Sequence, residues 1–231
     1  MNDSKEAAGT CSLHDPQVQA VLERLHRSAS RQTLGLARLT LSRLFDRLAR
    51  RSRSLTEEAD QIKDLYLCLS PKQGSLVYMA ARSLRARRVV EFGTSFGVST
   101  IYLAAAVRDN GGGVVIGSEI ERSKIAKARS HIEEAGLSDQ VEIREGDACE
   151  TLRDPGGPVD MVLLDGMKDL YLPIVEMLKP HLRKGAVVLA DNILSYRKAL
   201  APYSAHMRDI ANGFQSVTLF LGDGTEYSVR I

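Results

Sequence analysis

The stretch that decides the fold is VVEFGTSFGVST, residues 89–100, in which an apolar run meets a carboxylate and two glycines follow. The run ends at Glu91 and Phe92, and the glycines are Gly93 and Gly97. Glycines directly behind a strand mark a backbone that turns tightly or comes close to a ligand. We therefore expect a strand here, then a ligand-binding turn, then a helix.

The same strand–helix pattern repeats to the end of the chain. Strands alternating with helices of this length are typical of βαβ units and a parallel sheet. A Gly-Asp-Gly turn at residues 222–224 lies between two β-rich runs and predicts a closing hairpin. The predicted fold class is α/β: a Rossmann-like, doubly wound, seven-stranded sheet, mostly parallel with an antiparallel C-terminal hairpin, flanked by helices. The predicted strands are 88–92, 114–119, 141–144, 159–164 and 186–190, and the predicted helices are 100–107, 122–135, 170–182 and 197–212.

Residues 1–70 are polar, helical in pattern and free of β-branched runs, which predicts an N-terminal helical extension before a domain at 71–231. The segment 24–53 is rich in arginine, and its apolar residues share one helical face. We expect that face to pack on the domain or on a second copy in a homodimer, while a membrane-surface or nucleic-acid contact is the alternative. A capped helix is predicted at 54–69, ended by SPKQG at 70–74. The apolar face consists of Leu34, Leu41, Leu44, Phe45 and Leu48.

The composition narrows the class of protein. With 231 residues, 44% of them hydrophobic, the chain is long enough for one large core. A net charge of +2 does not favour a polyanionic partner, so nucleic acid is not expected. No apolar run reaches the length of a membrane span, and the first residues carry no apolar leader. The cysteines show no metal-binding spacing and are expected as free thiols. These features favour a cytoplasmic protein.

The glycine turn also indicates the ligand. No Lys follows Gly97, which excludes a Walker A loop, and the glycine spacing excludes a dinucleotide fingerprint. Glu91, two residues before Gly93, disfavours an anion and suits a cationic ligand. S-adenosylmethionine carries an ammonium and a sulfonium group. Glu119 ends the second strand, where an acid can accept both ribose hydroxyls of an adenosine; the alternative is a solvated acid at a strand end. Together the two acids favour S-adenosylmethionine.

Acidic and amide side chains follow the fourth and fifth strands. Asp165 comes after one strand, and Asp191 and Asn192 come after the other. Such oxygen ligands suit Mg²⁺ or another divalent cation. Lys168 follows Asp165 closely and is expected to point into the same space. The alternative is that the two aspartates cap the following helices.

From about Leu69 to Ile231 the chain resembles the cation-dependent O-methyltransferases, the family that includes catechol and caffeoyl-CoA O-methyltransferases. The segment SPKQGSLVYMAARSLRARRVVEFGTSFGVST resembles the family's lid and first strand, and REGDA its adenine-side loop. LLDGMKDLY and LADN resemble its metal motifs, and FLGDGTEYSVRI resembles its closing hairpin. The resemblance implies a class I S-adenosylmethionine-dependent O-methyltransferase acting on a small phenolic acceptor.

The resemblance also implies roles for individual residues. The methionine part of the cofactor would be held by Glu91, Gly93, Thr94 and Ser99, with Leu69 on its lid side. Glu119 would bind the ribose, and Ala148 would contact the adenine. Asp165, Asp191 and Asn192 would ligate the metal, Lys168 would be the general base, and Met167 and Tyr196 would contact the substrate.

The chain departs from the family on the acceptor side. Met167 stands where catechol enzymes carry Trp and plant caffeoyl-CoA enzymes carry Asp, and the chain has no Trp to wall a catechol slot. A natural-product phenol or a nitrogen nucleophile, with weak or no metal dependence, therefore stays open as the acceptor. A nucleic-acid-directed methyltransferase using residues 24–53 and a non-catalytic structural partner are the remaining alternatives.

Overall fold

The computed structural model describes residues 11–30 and 68–231, and its centre is a single sheet. The strands are β1 Arg88–Phe92, β2 Val114–Glu119, β3 Val141–Glu145, β4 Val159–Leu164, β5 Leu182–Ala190, β6 Phe214–Leu219 and β7 Thr225–Arg230. They form a seven-stranded sheet in the order β3-β2-β1-β4-β5-β7-β6. β1 to β5 are parallel, and β7 is antiparallel to both β5 and β6. The predicted doubly wound sheet with its closing hairpin is confirmed.

Helices cover both faces of the sheet, because successive side chains of a strand point to opposite faces. Val89 packs into a core shared with the first four helices, and Val90 packs into a second core shared with the last three. The helices are α1 Pro16–Ser30, α2 Pro71–Ser83, α3 Val98–Asp109, α4 Arg122–Glu134, α5 Ala148–Thr151, α6 Tyr171–Leu178 and α7 Ala201–Arg208.

Two predicted helices are too long. The helix predicted at 170–182 ends at Leu178 and continues only as a short 3₁₀ turn that contains Pro180, after which Leu182 already belongs to β5. The helix predicted at 197–212 begins at Ala201, with proline in its first turn, and ends at Arg208. Proline lacks an N–H and fits only the first turn of a helix, so it shortens both segments.

The stretch 70–74 starts a helix, α2, that the sequence analysis does not predict. Residues 31–67 lie outside the described residues, so the end of a preceding helix at SPKQG stays a prediction. Ser70 is the N-cap of α2, Pro71 opens its first turn, and Gln73 completes a capping box with Ser70. A serine followed by proline and, three residues on, by glutamine is a helix-start signal. The sequence analysis takes SPKQG only as a helix end and therefore misses this helix start.

The described part of the N-terminal region, residues 11–30, packs on the sheet's helical layer. Four residues of α1 are buried in the same core as α3: Val18, Val21, Leu22 and Leu25. The backbone N–H of Ser12 donates to the Asp109 carboxylate at 2.9 Å. The predicted apolar face at 34–48, most of the helix predicted at 54–69 and most of the arginine-rich segment lie outside the described residues. Those predictions, and the boundary at residue 70, stay predictions.

Among the described helices, none is both long and apolar enough to cross a membrane.

The C-terminal hairpin is held to α7 by a buried carboxylate. Glu226 is fully buried and accepts two hydrogen bonds from Arg208, at 2.7 and 2.8 Å. Thr218 and Ser216 donate to it as well, at 2.5 and 2.8 Å. Burial alone would raise the pKa of the Glu226 carboxyl, but these hydrogen bonds outweigh it and hold the pKa below its ordinary value. The ionised form is therefore the one that the fold stabilises.

We expect Arg208→Ala to lower the free energy of unfolding by about 3 kcal/mol near neutral pH, because it leaves a buried carboxylate short of its charged partner. Because the folded pKa of Glu226 is lowered, its contribution is present above the ordinary pKa and lost as the pH falls through the lowered one. In urea unfolding, the difference in the free energy of unfolding between the parent and Arg208→Ala should therefore become smaller at acidic pH. Arg153→Ala, which removes an exposed ion pair with Glu150, should cost at most roughly 0.5 kcal/mol. Equal losses in both variants would contradict this account of Glu226.

Candidate active site

The turn after β1 places a tight backbone loop at the carboxyl end of the sheet. The N–H groups of Gly93 and Thr94 donate to the Ser118 carbonyl of β2, at 3.2 and 3.1 Å. Gly93 has φ +96°. A Cβ at this position would lie 2.7 Å from the backbone N of Gly166, in the loop after β4. The glycine thus lets this turn contact the loop that carries Asp165. Residues 93–97, which the sequence analysis predicts to bind the cofactor, are called the cofactor turn below.

Glu91 is fully buried at the end of β1. Its Oε2 accepts hydrogen bonds from Thr94 and Thr100, at 3.0 and 2.6 Å. Within the described residues its Oε1 has no hydrogen-bond partner. Burial raises the pKa of this carboxyl, and the hydroxyls of Ser99, Thr100 and Thr94 offset only part of that effect. A buried acceptor that lacks a donor is costly, so the site is suited to a ligand that brings a cation or an N–H group.

Glu119 ends β2 on the neighbouring side of the turn. Its Oε2 accepts the N–H of Ser95 at 2.8 Å. Its Oε1 accepts the N–H groups of Ile120 and Glu121, at 2.9 and 3.0 Å. These donors fix the orientation of the carboxylate, and a carboxylate has further lone pairs with which to accept hydroxyl protons. The arrangement fits a ribose diol.

The other predicted cofactor residues lie at or next to the starts of helices. Leu69 is buried directly before the cap of α2, and Ser99 is buried in the first turn of α3. Ala148 is the buried first residue of α5, where Asp147 caps the helix by accepting the N–H of Cys149 at 2.8 Å. The hydroxyl of Thr94 is committed to Glu91, so this side chain orients Glu91 from the protein side.

Lys168 lies beyond the end of β4, facing two groups at once. Its Nζ donates to the phenol oxygen of Tyr171 at 2.8 Å and lies 3.4 Å from Oδ1 of Asp165. The Nζ is also 5.5 Å from the ring centroid of Tyr196. Burial raises the pKa of Asp165, the Lys168 ammonium partly offsets this, and Glu91 raises it further. The charges of Glu91 and Lys168 therefore both act on Asp165.

Asp191 follows β5 and is nearly buried. Its Oδ1 accepts a hydrogen bond from Nε2 of Gln73 at 2.7 Å, and its Oδ2 accepts one from Nδ2 of Asn192 at 3.1 Å. Burial and then the negative charge of Asp165 raise the pKa of Asp191 to about 7. Asn192 has φ +65°, a conformation that asparagine tolerates better than most residues, and this turns the chain sharply after the strand.

The proposed metal ligands form a smaller donor set than many metal sites. In residues 11–30 and 68–231, no group of three or more His, Cys, Asp or Glu side chains is placed to hold an ion. The set consists instead of two carboxylates and one amide. Burial is the main cause of the raised pKa values of Asp165 and Asp191, and the charge of Asp165 raises that of Asp191 further. A hard divalent cation would stabilise the ionised form of both carboxylates, and carboxylate and amide oxygens are its usual ligands, so the residues fit one.

The predicted acceptor side is lined by apolar and aromatic groups. Met167 is 39% exposed and Leu194 is 45% exposed. The N–H of Leu194 donates to the carbonyl of Asp223, in the turn between β6 and β7, at 3.0 Å. Tyr196 stands one turn after Asn192, to whose carbonyl its N–H donates at 3.1 Å. The closing hairpin thus braces the loop that carries Asp191 and Asn192.

The sequence analysis assigned no site role to Gln73 or Tyr171. Tyr171 is fully buried, accepts from Lys168, and donates to the backbone carbonyl of Asp191 at 3.3 Å. Burial, followed by the charges of Asp165 and Asp191, raises its pKa well above the ordinary value, so it stays a neutral phenol. A tyrosine three residues after Lys168 was a usable signal for this contact. The link from Gln73 to Asp191 had no local signal.

Comparisons with known proteins identify the family of this chain. A family model described as a methyltransferase domain matches residues 90–193. A catechol O-methyltransferase of Niastella koreensis is 33% identical over 169 residues, 71% of this chain and 75% of the relative. Caffeoyl-CoA O-methyltransferase 1 of Zea mays is 27% identical over 168 residues, 70% of this chain and 64% of the relative.

A solved structure extends the likeness to three dimensions. The O-methyltransferase TomG of Streptomyces achromogenes, solved in complex with S-adenosylmethionine, has a TM-score of 0.66 and 26% identity. The match covers 83% of this chain and 96% of TomG. With a catechol O-methyltransferase one third identical to it over most of its length, this chain belongs to the class I S-adenosylmethionine-dependent O-methyltransferases of the catechol and caffeoyl-CoA type.

Proposed function

We propose that this methyltransferase acts on a hydroxyl of a catechol-like or other small phenolic acceptor and uses Mg²⁺ or another divalent cation. The observation that carries the proposal is the position of Lys168. Its Nζ lies between Asp165 and the Tyr171 phenol, faces the Tyr196 ring, and belongs to the loop that contacts the cofactor turn. A proton acceptor, oxygen ligands and an aromatic surface therefore converge beside the methyl donor's turn.

On the cofactor side, Glu91 would accept the ammonium of the methionine part through its unpartnered Oε1, and Gly93 would let that part lie against the backbone. Glu119 would accept the ribose hydroxyls. Ser99, Thr94, Leu69 and Ala148 would complete the cradle. Each of these residues lies at or next to the carboxyl end of a strand or the start of a helix, where α/β sheets bind their ligands.

On the acceptor side, Asp165, Asp191 and Asn192 would hold the divalent ion. When bound, such an ion supplies Lewis-acid polarisation of the acceptor hydroxyl. Lys168, as a neutral amine, would take the hydroxyl proton at Nζ while one of its N–H groups stays on Tyr171. The acceptor oxygen then forms a bond to the methyl carbon as the carbon–sulfur bond breaks. Holding the two reactants in line can supply about 7–11 kcal/mol of the rate acceleration.

The surface next to Lys168 supports a flat aromatic acceptor. Tyr196 offers a ring face, and Met167, which directly precedes Lys168 and is partly exposed, offers apolar contact area. Such surfaces bind an aromatic ring through burial of apolar area and offset ring contacts.

The test is an assay with labelled S-adenosylmethionine, a panel of catechols and single phenols, and Mg²⁺. We expect methyl transfer to catechols, and a loss of more than about tenfold on adding EDTA that is reversed by excess Mg²⁺. Full activity after complete chelation would overturn the metal role. No methyl transfer to any catechol or single phenol would overturn the acceptor class.

A second candidate is methyl transfer to a different natural-product or nitrogen acceptor with weak or no metal dependence. Asp191 has few neighbouring metal-ligating groups, and both of its carboxylate oxygens already accept amide N–H groups. These features favour the second candidate. TomG is described as taking part in tomaymycin synthesis, which supports a natural-product acceptor. The same chelation assay separates the two candidates.

We also propose a homodimer in the cytoplasm, on the strength of the apolar pattern and the composition of the sequence. Light scattering of the full chain would test the dimer.

A further inference from the structure

Gln73 is a buried polar side chain that the chemistry above does not use. It lies in the first turn of α2 and is 5% exposed. Its Nε2 donates to Oδ1 of Asp191 at 2.7 Å, across 118 positions of sequence. A buried hydrogen bond to a carboxylate is short and strong, and it restricts the rotation of that carboxylate.

The capping box of α2 fixes which end of the Gln73 amide faces Asp191. The amide oxygen accepts the N–H of Ser70 at 3.1 Å and its hydroxyl at 2.9 Å. Because the Ser70 N–H can only donate, the oxygen must face Ser70 and the NH₂ group must face Asp191. The reversed amide would place an NH₂ group against the Ser70 N–H and an oxygen against the Asp191 carboxylate.

The turn of the C-terminal hairpin closes over the same side chain. Gly222 has φ +59°, and a Cβ there would lie 2.2 Å from Cδ of Gln73. The next residues of that turn bond to the loop after Asp191, where the N–H of Ile193 donates to the carbonyl of Gly224 at 3.0 Å. Gln73 is therefore enclosed by the start of α2, the Asp191 loop and the hairpin, with little room for another rotamer.

We propose that Gln73 is a positioning residue that holds the Asp191 carboxylate in the orientation needed to bind a divalent ion. The inference rests on the proposed function, in which Asp191 is a metal ligand. Hydrogen-bond partners of metal ligands orient those ligands, and losing one typically costs about 10- to 100-fold in metal affinity or activity. Gln73 thereby couples the capped start of α2, next to Leu69 on the cofactor side, to the acceptor side.

The test compares Gln73→Met with Ser70→Ala in the full-length protein. Both variants weaken the capping box, so both should lower the melting temperature. Only Gln73→Met removes the donor to Asp191, and methionine keeps nearly the same length and volume. The readouts are Mn²⁺ binding to the protein alone, measured by titration calorimetry, S-adenosylmethionine binding, and the kcat and KM of methyl transfer.

We expect Gln73→Met to bind Mn²⁺ about 10- to 100-fold more weakly, with a matching fall in turnover at a fixed metal concentration that excess Mn²⁺ partly restores. S-adenosylmethionine affinity should change by less than about twofold in either variant, and Ser70→Ala should keep the parent's Mn²⁺ affinity. Equal Mn²⁺ affinity in Gln73→Met and the parent, or equal losses in both variants, would overturn the inference and leave the proposed function standing. A parent protein that binds no divalent ion would overturn both.

Discussion

Replacing Lys168 with methionine should lower kcat by about 100- to 10,000-fold, the range that a positioned general base contributes. Methionine keeps the length of the side chain and removes the amine that would accept the hydroxyl proton. Affinity for S-adenosylmethionine should stay within about twofold, because Glu91 and Glu119, the residues proposed to hold the cofactor, keep their own hydrogen bonds in this variant. Single-turnover methyl transfer at saturating acceptor measures the loss in the chemical step.

Lys184→Met is the matched control for Lys168, since Lys184 is exposed at the opposite, amino end of β5. It should leave kcat unchanged. If Lys168→Met kept more than about a tenth of the parent kcat, the lysine would not be the base, and the role would pass to water or to another group. A loss of cofactor binding in Lys168→Met would instead indicate a collapsed site.

Asp165→Ala should reduce turnover by more than about 100-fold while leaving S-adenosylmethionine bound. The change removes one of the two carboxylates proposed to hold the ion, and it also removes a charge that faces Lys168 at 3.4 Å. Mn²⁺ binding should fall below detection in the same variant. Equilibrium dialysis with labelled cofactor and calorimetric titration with Mn²⁺ measure the two affinities separately.

Asp169→Ala provides the control for Asp165, because Asp169 is exposed in the same loop. Its turnover and Mn²⁺ affinity should match those of the parent. If Asp165→Ala lost cofactor and metal together, Asp165 would belong to the cofactor cradle. If Asp165→Ala lost neither cofactor binding nor metal binding, the result would support the candidate function without metal dependence.

The cofactor half of the site could be predicted because its signals are local. Glu91, Gly93 and Gly97 stand within a few residues of one strand end, and Glu119 ends the next strand. In a parallel sheet, strand ends of the same polarity meet at one edge, so an ordered list of strand-end residues already predicts their grouping. The structure brings these residues together as that rule requires.

Helix boundaries were predicted less well, and proline explains the errors. Pro71 and Pro202 lie in the first turns of helices, and Pro180 lies in a 3₁₀ turn. Whether a proline opens or ends a helix depends on the preceding cap residue, here Ser70, and on what the next segment packs against. Hydrophobic periodicity alone carries neither kind of information.

By itself, the sequence of this protein determined the order of strands and helices, the closing hairpin and the strand-end residues of the cofactor turn. Those features follow from periodicity, turn residues and caps, which act over a few neighbouring positions. Only the tertiary structure decided that Tyr171 joins Lys168 to the Asp191 carbonyl and that Gln73 donates to the Asp191 carboxylate. The contacts to Asp191 join residues far apart in the chain. They form because the packing of α2, α6 and the hairpin around the end of β5 brings these buried polar groups within hydrogen-bonding distance.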